Sequence, residues 1–191
     1  MLKGDTLPAR RSIRLAKFDY AQGGHYFLTI CAFQMRFLFG TAESNRILLN
    51  AIGRIALDCW RDIPNHFPRV ELHPFVVMPN HIHGILAIND GHGCPVPLRD
   101  RHPTERFQHP TASSIPTIVR SYKGTVTYLA RRYLRNASLQ VWQSNYFERV
   151  LRNGEEFSNA CRYNFENPTL WHLDNANRRG TGHPCPSSAH H

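Results

Sequence analysis

Apolar residues recur along this chain at two spacings, and each spacing names an element. After Gly23-Gly24, the run HYFLTICAF (residues 25–33) is rich in β-branched and aromatic side chains and reads as a strand leaving a turn. Asn50 can cap a helix in which Ile52, Ile55, Ala56, Cys59 and Ile63 return at helical spacing as far as about residue 65. RVELHPFVVM (69–78) and HIHGILAI (81–88) read as two strands joined tightly at Pro79-Asn80, both turn formers between apolar flanks. Ile118, Tyr122, Val126, Leu129 and Tyr133 mark a second long helix, which Gly124 weakens. NYFERVL (145–151) reads as a fourth strand. A last helix runs from about residue 154 to Asn167, where Pro168 stops it by disfavouring α geometry in the residue before it.

The order is strand, helix, strand, strand, helix, strand, then an extra helix. That is the split βαβ order of an α+β, ferredoxin-like fold: an antiparallel sheet with two helices on one face. The other face is left for a ligand or for the terminal helix. With 191 residues, 41% of them hydrophobic, one domain is expected. It would span residues 25–174, after a basic N-terminal arm (1–24) and before a flexible tail (175–191). Residues 90–116 carry five prolines and little apolar periodicity, so they read as a long loop within the domain.

Charge changes the picture next. Lys and Arg number 23 against 14 Asp and Glu, a net charge of +9 that favours an acidic partner, nucleic acid being the commonest. The chain lacks a membrane-length apolar run and the apolar core of a signal peptide, so a cytoplasmic protein with no membrane partner is expected. Cys31, Cys59, Cys94, Cys161 and Cys185 are odd in number and form no CxxC pair, which points to reduced thiols rather than a disulfide framework or a zinc knuckle.

Two features carry candidate chemistry. In a strand, His81 and His83 project from one face and Ile82 from the other. Two imidazoles so placed can share a divalent cation, or can simply be a hydrogen-bonded pair on a half-exposed strand. A histidine-triad hydrolase would need a third alternating histidine where Ile85 stands. On the last helix, Phe157, Cys161 and Phe165 recur every four residues as an expected buried stripe. Tyr163, about 200° around the helix from Cys161, would point away from it. Asn159, Glu166 and Asn167 lie three or four residues from Tyr163 and make its side polar. Tyr163 is thus a candidate nucleophile or an ordinary surface tyrosine. His183, His190 and His191 fall in the tail and read as solvated.

MPNHIHGIL, then VWQSNYFERVLRN, then a helix ending YNFENP resembles the single-tyrosine HUH transposases, in particular the group related to REP-associated tyrosine transposases. RRSIRLAKFDYAQGGHYFLTICA resembles the start of the same group, and the likeness runs from about Arg10 to Trp171, the Pro-rich loop apart. The resemblance implies that His81 and His83 are metal ligands, that Tyr163 is the nucleophile and that Asn167 is the third protein ligand of Mg²⁺ or Mn²⁺. It also implies the reaction: nicking and strand transfer of single-stranded or hairpin DNA through a 5′-phosphotyrosine, at hairpin-forming repeats or element ends, by a monomer or a homodimer. Asn164 stands where that group usually has an aliphatic residue, and Glu166 where it often has Asn, which makes Glu166 an auxiliary candidate as ligand or base. A tyrosine with a pKa near 10 needs such help at neutral pH.

For DNA contacts, Arg120, Lys123, Arg131 and Arg135 form a stripe on the second long helix opposite Tyr122 and Leu129, to be weighed against a merely solvated face. Arg10, Arg11, Arg14 and Lys17 make the arm a second candidate. Trp142, Tyr146 and Phe147 offer either stacking surfaces for bases or core packing. The alternative reading is a domesticated DNA-hairpin-binding protein that no longer cuts. An RNA-binding sheet ranks last, because HIHGILAI lacks the paired aromatics such sheets use.

Overall fold

Strand β1 (Gly24–Cys31) is central to a four-stranded antiparallel sheet with strand order β4-β5-β1-β6. The structure is a computed structural model that describes residues 23–43, 46–89 and 113–171. Arg10, Arg11, Arg14 and Lys17 of the arm, Cys94 and most of the Pro-rich stretch, and the tail with Cys185 and its histidines lie outside the described residues. After β1 come a two-stranded ribbon, β2 (Gly40–Glu43) and β3 (Arg46–Leu49), then α1 (Ala51–Arg61) and the single turn α2 (Ile63–His66). Strands β4 (Val70–Val77) and β5 (His81–Ile88) follow, then α3 (Ile115–Leu134), β6 (Phe147–Leu151) and α4 (Gly154–Leu170). Leaving out the ribbon and α2, this is the ferredoxin-like arrangement expected from the element order.

Asn50 caps α1 as its sequence position suggests, its side chain accepting from the Gly53 N–H at 3.0 Å. Helices α1 and α3 cover one sheet face, and Tyr122 ties them by donating its hydroxyl proton to the Ala56 carbonyl at 2.9 Å. Tyr26, Leu28 and Ile30 of β1 and Ile82 and Leu86 of β5 pack there with Ala56, Trp60, Ile118 and Val126. Trp60 stacks on Phe75 with ring centroids 4.6 Å apart and lies so close over Gly84 that a β-carbon there would run into its ring.

Several boundaries differ from the sequence reading. The helix begun at Asn50 stops at Arg61, since Pro64 has no N–H for the Trp60 carbonyl and its ring crowds that carbonyl. The stretch read as a loop to residue 116 yields its last residues to α3: Ile115 and Pro116 are buried in the first turn, where a proline loses nothing. Helix α4 continues through Pro168 to Leu170 rather than ending at Asn167. Pro168 costs one backbone bond there, while Trp171 just beyond is only 5% exposed and its burial holds the extra turn. The ribbon β2–β3 was not anticipated, its four-residue strands being too short to show a period.

Gly84→Val is expected to cost about 1–3 kcal/mol in urea unfolding, because the added volume must displace Trp60 from its stack. An unchanged midpoint would mean the Trp60 ring is not confined.

Candidate active site

The β1–β5 register sets Cys31 opposite His81, Thr29 opposite His83 and Phe27 opposite Ile85. Residues directly opposed share a face, so these six line the face away from α1 and α3. Helix α4 lies over this face. Its sheet-facing side holds Phe157, Ala160, Cys161, Asn164, Asn167 and Trp171, all buried or half-buried.

The expected stripe of Phe157, Cys161 and Phe165 is therefore corrected at its third member, since Phe165 is 74% exposed. A strict four-residue spacing drifts about 40° per step on a helix of 3.6 residues per turn, so the third position has rotated off the buried side. The buried line turns instead through Asn164, whose Nδ2 donates at 2.8 Å to the Pro74 carbonyl in the irregular stretch of β4. Tyr163, one residue from the centre of that line, does not point away from the sheet but sits on its flank. Its ring meets His83 edge-on at 5.2 Å and Phe27 at 5.9 Å, while the residue keeps 46% exposure.

His81 and His83 are both buried, with ring centroids 4.4 Å apart. His81 Nδ1 donates to Asn80 Oδ1 at 2.7 Å, because an amide oxygen can only accept. That leaves the lone pair of His81 on Nε2. His83 Nδ1 is 2.8 Å from Thr29 Oγ1, which occupies the same ring nitrogen and leaves its Nε2. Metal-bound histidines are oriented in this way, through the nitrogen that does not ligate. Burial pushes the His81 pKa down to about 4, and burial reinforced by His81 holds His83 well below its ordinary value. Both rings are thus neutral at pH 7, the state a cation requires.

Asn167, four residues after Tyr163 and four before Trp171, lies between the contact of Tyr163 with His83 and that of Trp171 with His81, the latter at 5.9 Å. It is 8% exposed, and its buried Nδ2 has no hydrogen-bond partner. Asn80 Nδ2 and Asn164 Oδ1 are likewise unpaired. Buried amides left unsatisfied in this way cost free energy of about 1–3 kcal/mol each unless something else engages them. Two imidazoles and an amide oxygen are donors that could together hold a divalent cation. Among the described residues, no three His, Cys, Asp or Glu side chains gather as a metal cage. Glu166 is exposed beside Asn167.

The basic stripe is not gathered at this site. Helix α3 lies on the opposite sheet face, and only Arg120 and Arg135 simply extend into solvent. Lys123 Nζ donates to the carbonyls of Gln143 at 2.6 Å, Ser144 at 3.2 Å and Asn145 at 3.5 Å, and burial lowers its pKa to about 8. Arg131 Nε donates to the Leu139 carbonyl at 2.9 Å. Lys123 and Arg131 thereby fasten the segment between α3 and β6. Trp142 is half-buried and packs against the core, its ring tilted on Phe39 and Tyr122 and its Nε1 donating to the Lys123 carbonyl, and Tyr146 packs on the same core. Thr29, Asn80, Phe27 and Trp171 were missed as site residues. Thr29 and Phe27 had a signal in the period-2 pattern of β1, whereas Asn80 had read only as a turn former.

No protein-family model matches the chain. An uncharacterized protein of Haemophilus influenzae is 39% identical over 167 residues, which cover 86% of this chain and 91% of that protein. The chain belongs to the family of that protein. Among solved structures, a REP-associated tyrosine transposase bound to a REP hairpin superposes with a TM-score of 0.53 at 16% identity, covering 94% of this chain and 95% of that one. The family therefore has the fold seen in that transposase. No helix among the described residues is long and apolar enough to cross a membrane. Cys31, Cys59 and Cys161, the cysteines among the described residues, form no disulfide.

The histidine pKa values have a consequence for stability in metal-free buffer. The unfolded chain takes up a proton at His81 below about pH 6.5, but the folded one does so only near pH 4. Stability is accordingly expected to fall as pH drops through that window, by about 3 kcal/mol from His81 alone by pH 4. Urea midpoints measured from pH 7 to 4 should decline less steeply in His81→Phe; parallel slopes would refute the buried neutral imidazole.

Proposed function

We propose that the chain is a metal-dependent single-strand DNA transesterase of the single-tyrosine HUH class, a transposase acting on hairpin-forming repeats or element ends. The observation that carries this reading is the meeting of Tyr163 with the oriented pair His81 and His83 on one sheet face. The REP hairpin bound by the structural neighbour supports DNA as the partner.

His81 Nε2, His83 Nε2 and Asn167 Oδ1 would hold the ion. Bound there, Mg²⁺ or Mn²⁺ would polarise a phosphodiester and offset the charge of its transition state. Tyr163 Oη attacks phosphorus in line. An Oη–P bond forms, the P–O3′ bond breaks, and the products are a 5′-phosphotyrosine and a free 3′-hydroxyl. The phenol proton leaves to water or to the Glu166 carboxylate, and the departing 3′ oxygen takes up a proton. Because the phosphodiester energy is kept in the tyrosyl ester, the 3′-hydroxyl of another strand can reverse the step without ATP. The contacts of the Tyr163 ring with His83 and Phe27 support a nucleophile that is oriented before substrate arrives.

Incubation with 5′- and 3′-labelled single-stranded hairpins from the DNA flanking the gene is expected to give a covalent band with Mg²⁺ or Mn²⁺ and none with EDTA. Tyr163→Phe should lose the band yet bind the hairpin as tightly, and His81→Ala should lower its yield roughly 100-fold. A band from Tyr163→Phe would sink the assignment. Tight binding with no band from the unaltered protein would make it a non-cleaving hairpin binder instead.

A further inference from the structure

The segment between β1 and β2 contains two successive non-glycine residues in left-handed geometry, Gln34 at φ 53° and Met35 at φ 54°. L side chains rarely adopt this conformation, and it persists only where the surroundings impose it. Met35 is buried, its N–H donates to the Ala32 carbonyl at 3.0 Å, and the Arg36 N–H donates to the Phe33 carbonyl at 3.2 Å. The segment is also tied to the turn that leads into His81: the Ala32 N–H donates to the Asn80 carbonyl at 2.8 Å and the Phe39 N–H to the Pro79 carbonyl at 3.0 Å. What this arrangement presents to solvent is an arginine followed by a phenylalanine.

Phe37 is 48% exposed, and its ring meets Trp171 edge-on at 5.9 Å. Trp171 in turn lies 5.9 Å from His81. A path of rings thus runs from the histidine pair to the surface and ends in an exposed phenyl, with the exposed Arg36 its neighbour in sequence. Stacking rings interleaved with cations are how unpaired nucleic-acid strands are held.

The direction of the path is informative. Tyr163 packs on His83 and Trp171 on His81, and the two lie eight residues apart, about 12 Å along a helix. In-line attack puts the leaving 3′ oxygen opposite the attacking phenol. With the phosphate held over the histidine pair, the strand carrying that oxygen would leave on the His81 side, toward Trp171 and Phe37.

We propose that Phe37, backed by Trp171, is a stacking site for the unpaired base on the 5′ side of the scissile phosphate, with Arg36 paired to that strand's backbone. This rests on the reading of Tyr163 and the histidines given above. Such a site would keep the freed 3′-hydroxyl in place for the reverse step.

The test uses Tyr163→Phe protein, which leaves the substrate uncut, and hairpin oligonucleotides carrying 2-aminopurine at each unpaired position in turn. Quenching is expected at the nucleotide just 5′ of the position where the unaltered protein cuts. Adding Phe37→Ala should abolish it and weaken single-strand binding roughly 5- to 100-fold, while Phe37→Tyr keeps both. Because Phe37 is half exposed, its thermal midpoint should hardly change. If the unaltered protein cuts but no quenching depends on Phe37, or the dependent position lies 3′ of the cut, the stacking site is refuted while the cutting reading stands. Phe37-dependent quenching with no cutting by the unaltered protein would refute the cutting reading and with it the 5′ assignment.

Discussion

All eight residues of β5 are buried, so every side chain it carries must be accommodated on one sheet face or the other. Ile82, Gly84 and Leu86 turn toward α1 and α3, where an apolar layer and the Trp60 ring close over them. His81 and His83 alternate with them and so face the other way. A slip of one residue in register would exchange the two sets, putting imidazoles against the core and isoleucines under α4. The site exists because pairing with β1 on one side and β4 on the other holds this register along most of the strand.

What covers the second face is unusual for a buried helix side. In place of an aliphatic row, α4 offers Asn164 and Asn167, one anchored on the Pro74 carbonyl and the other carrying an unpaired Nδ2. A hydrophobic seam would hold the helix more firmly, since buried amides are only marginally favourable even when paired and costly when not. The hydrogen bond of Asn164 fixes the helix lengthwise, and with it the contact of Tyr163 on His83. The same polarity makes the surroundings of the histidines more tolerant of a charged group than an aliphatic seam would be.

The division of the sheet also separates two kinds of basic residue. Lys123 and Arg131 belong to the helix layer, where they satisfy the carbonyls of the segment leading to β6. Their side chains act as fasteners within the fold. Arg36 is exposed on the segment between β1 and β2, just after the two residues in left-handed geometry. Net charge describes the whole surface, whereas the contribution of any one cation depends on which layer its element joins.

Most of the element order, the two-face alternation of β5 and the candidacy of His81, His83 and Tyr163 were legible in the sequence, because periodicity and local spacing are properties of neighbouring residues, whereas Asn167 entered as a ligand only through the family resemblance. The N-cap at Asn50 was legible too. The extent of α4 was not: Pro168 argues locally for a stop, and only the burial of Trp171 against distant residues outweighs it. Nor was the buried line of α4, since which side of a weakly amphipathic helix faces inward is decided by the surface it meets. Thr29 and Asn80 gained their roles through bonds to histidine rings, one across the sheet and one at a turn, that no spacing announces. The tying of Lys123 to carbonyls some twenty residues away followed from how α3 packs. The sequence by itself thus determined which residues are candidates for a site, and the tertiary structure decided which of them meet, because contact between distant segments is set by packing and register rather than by local pattern.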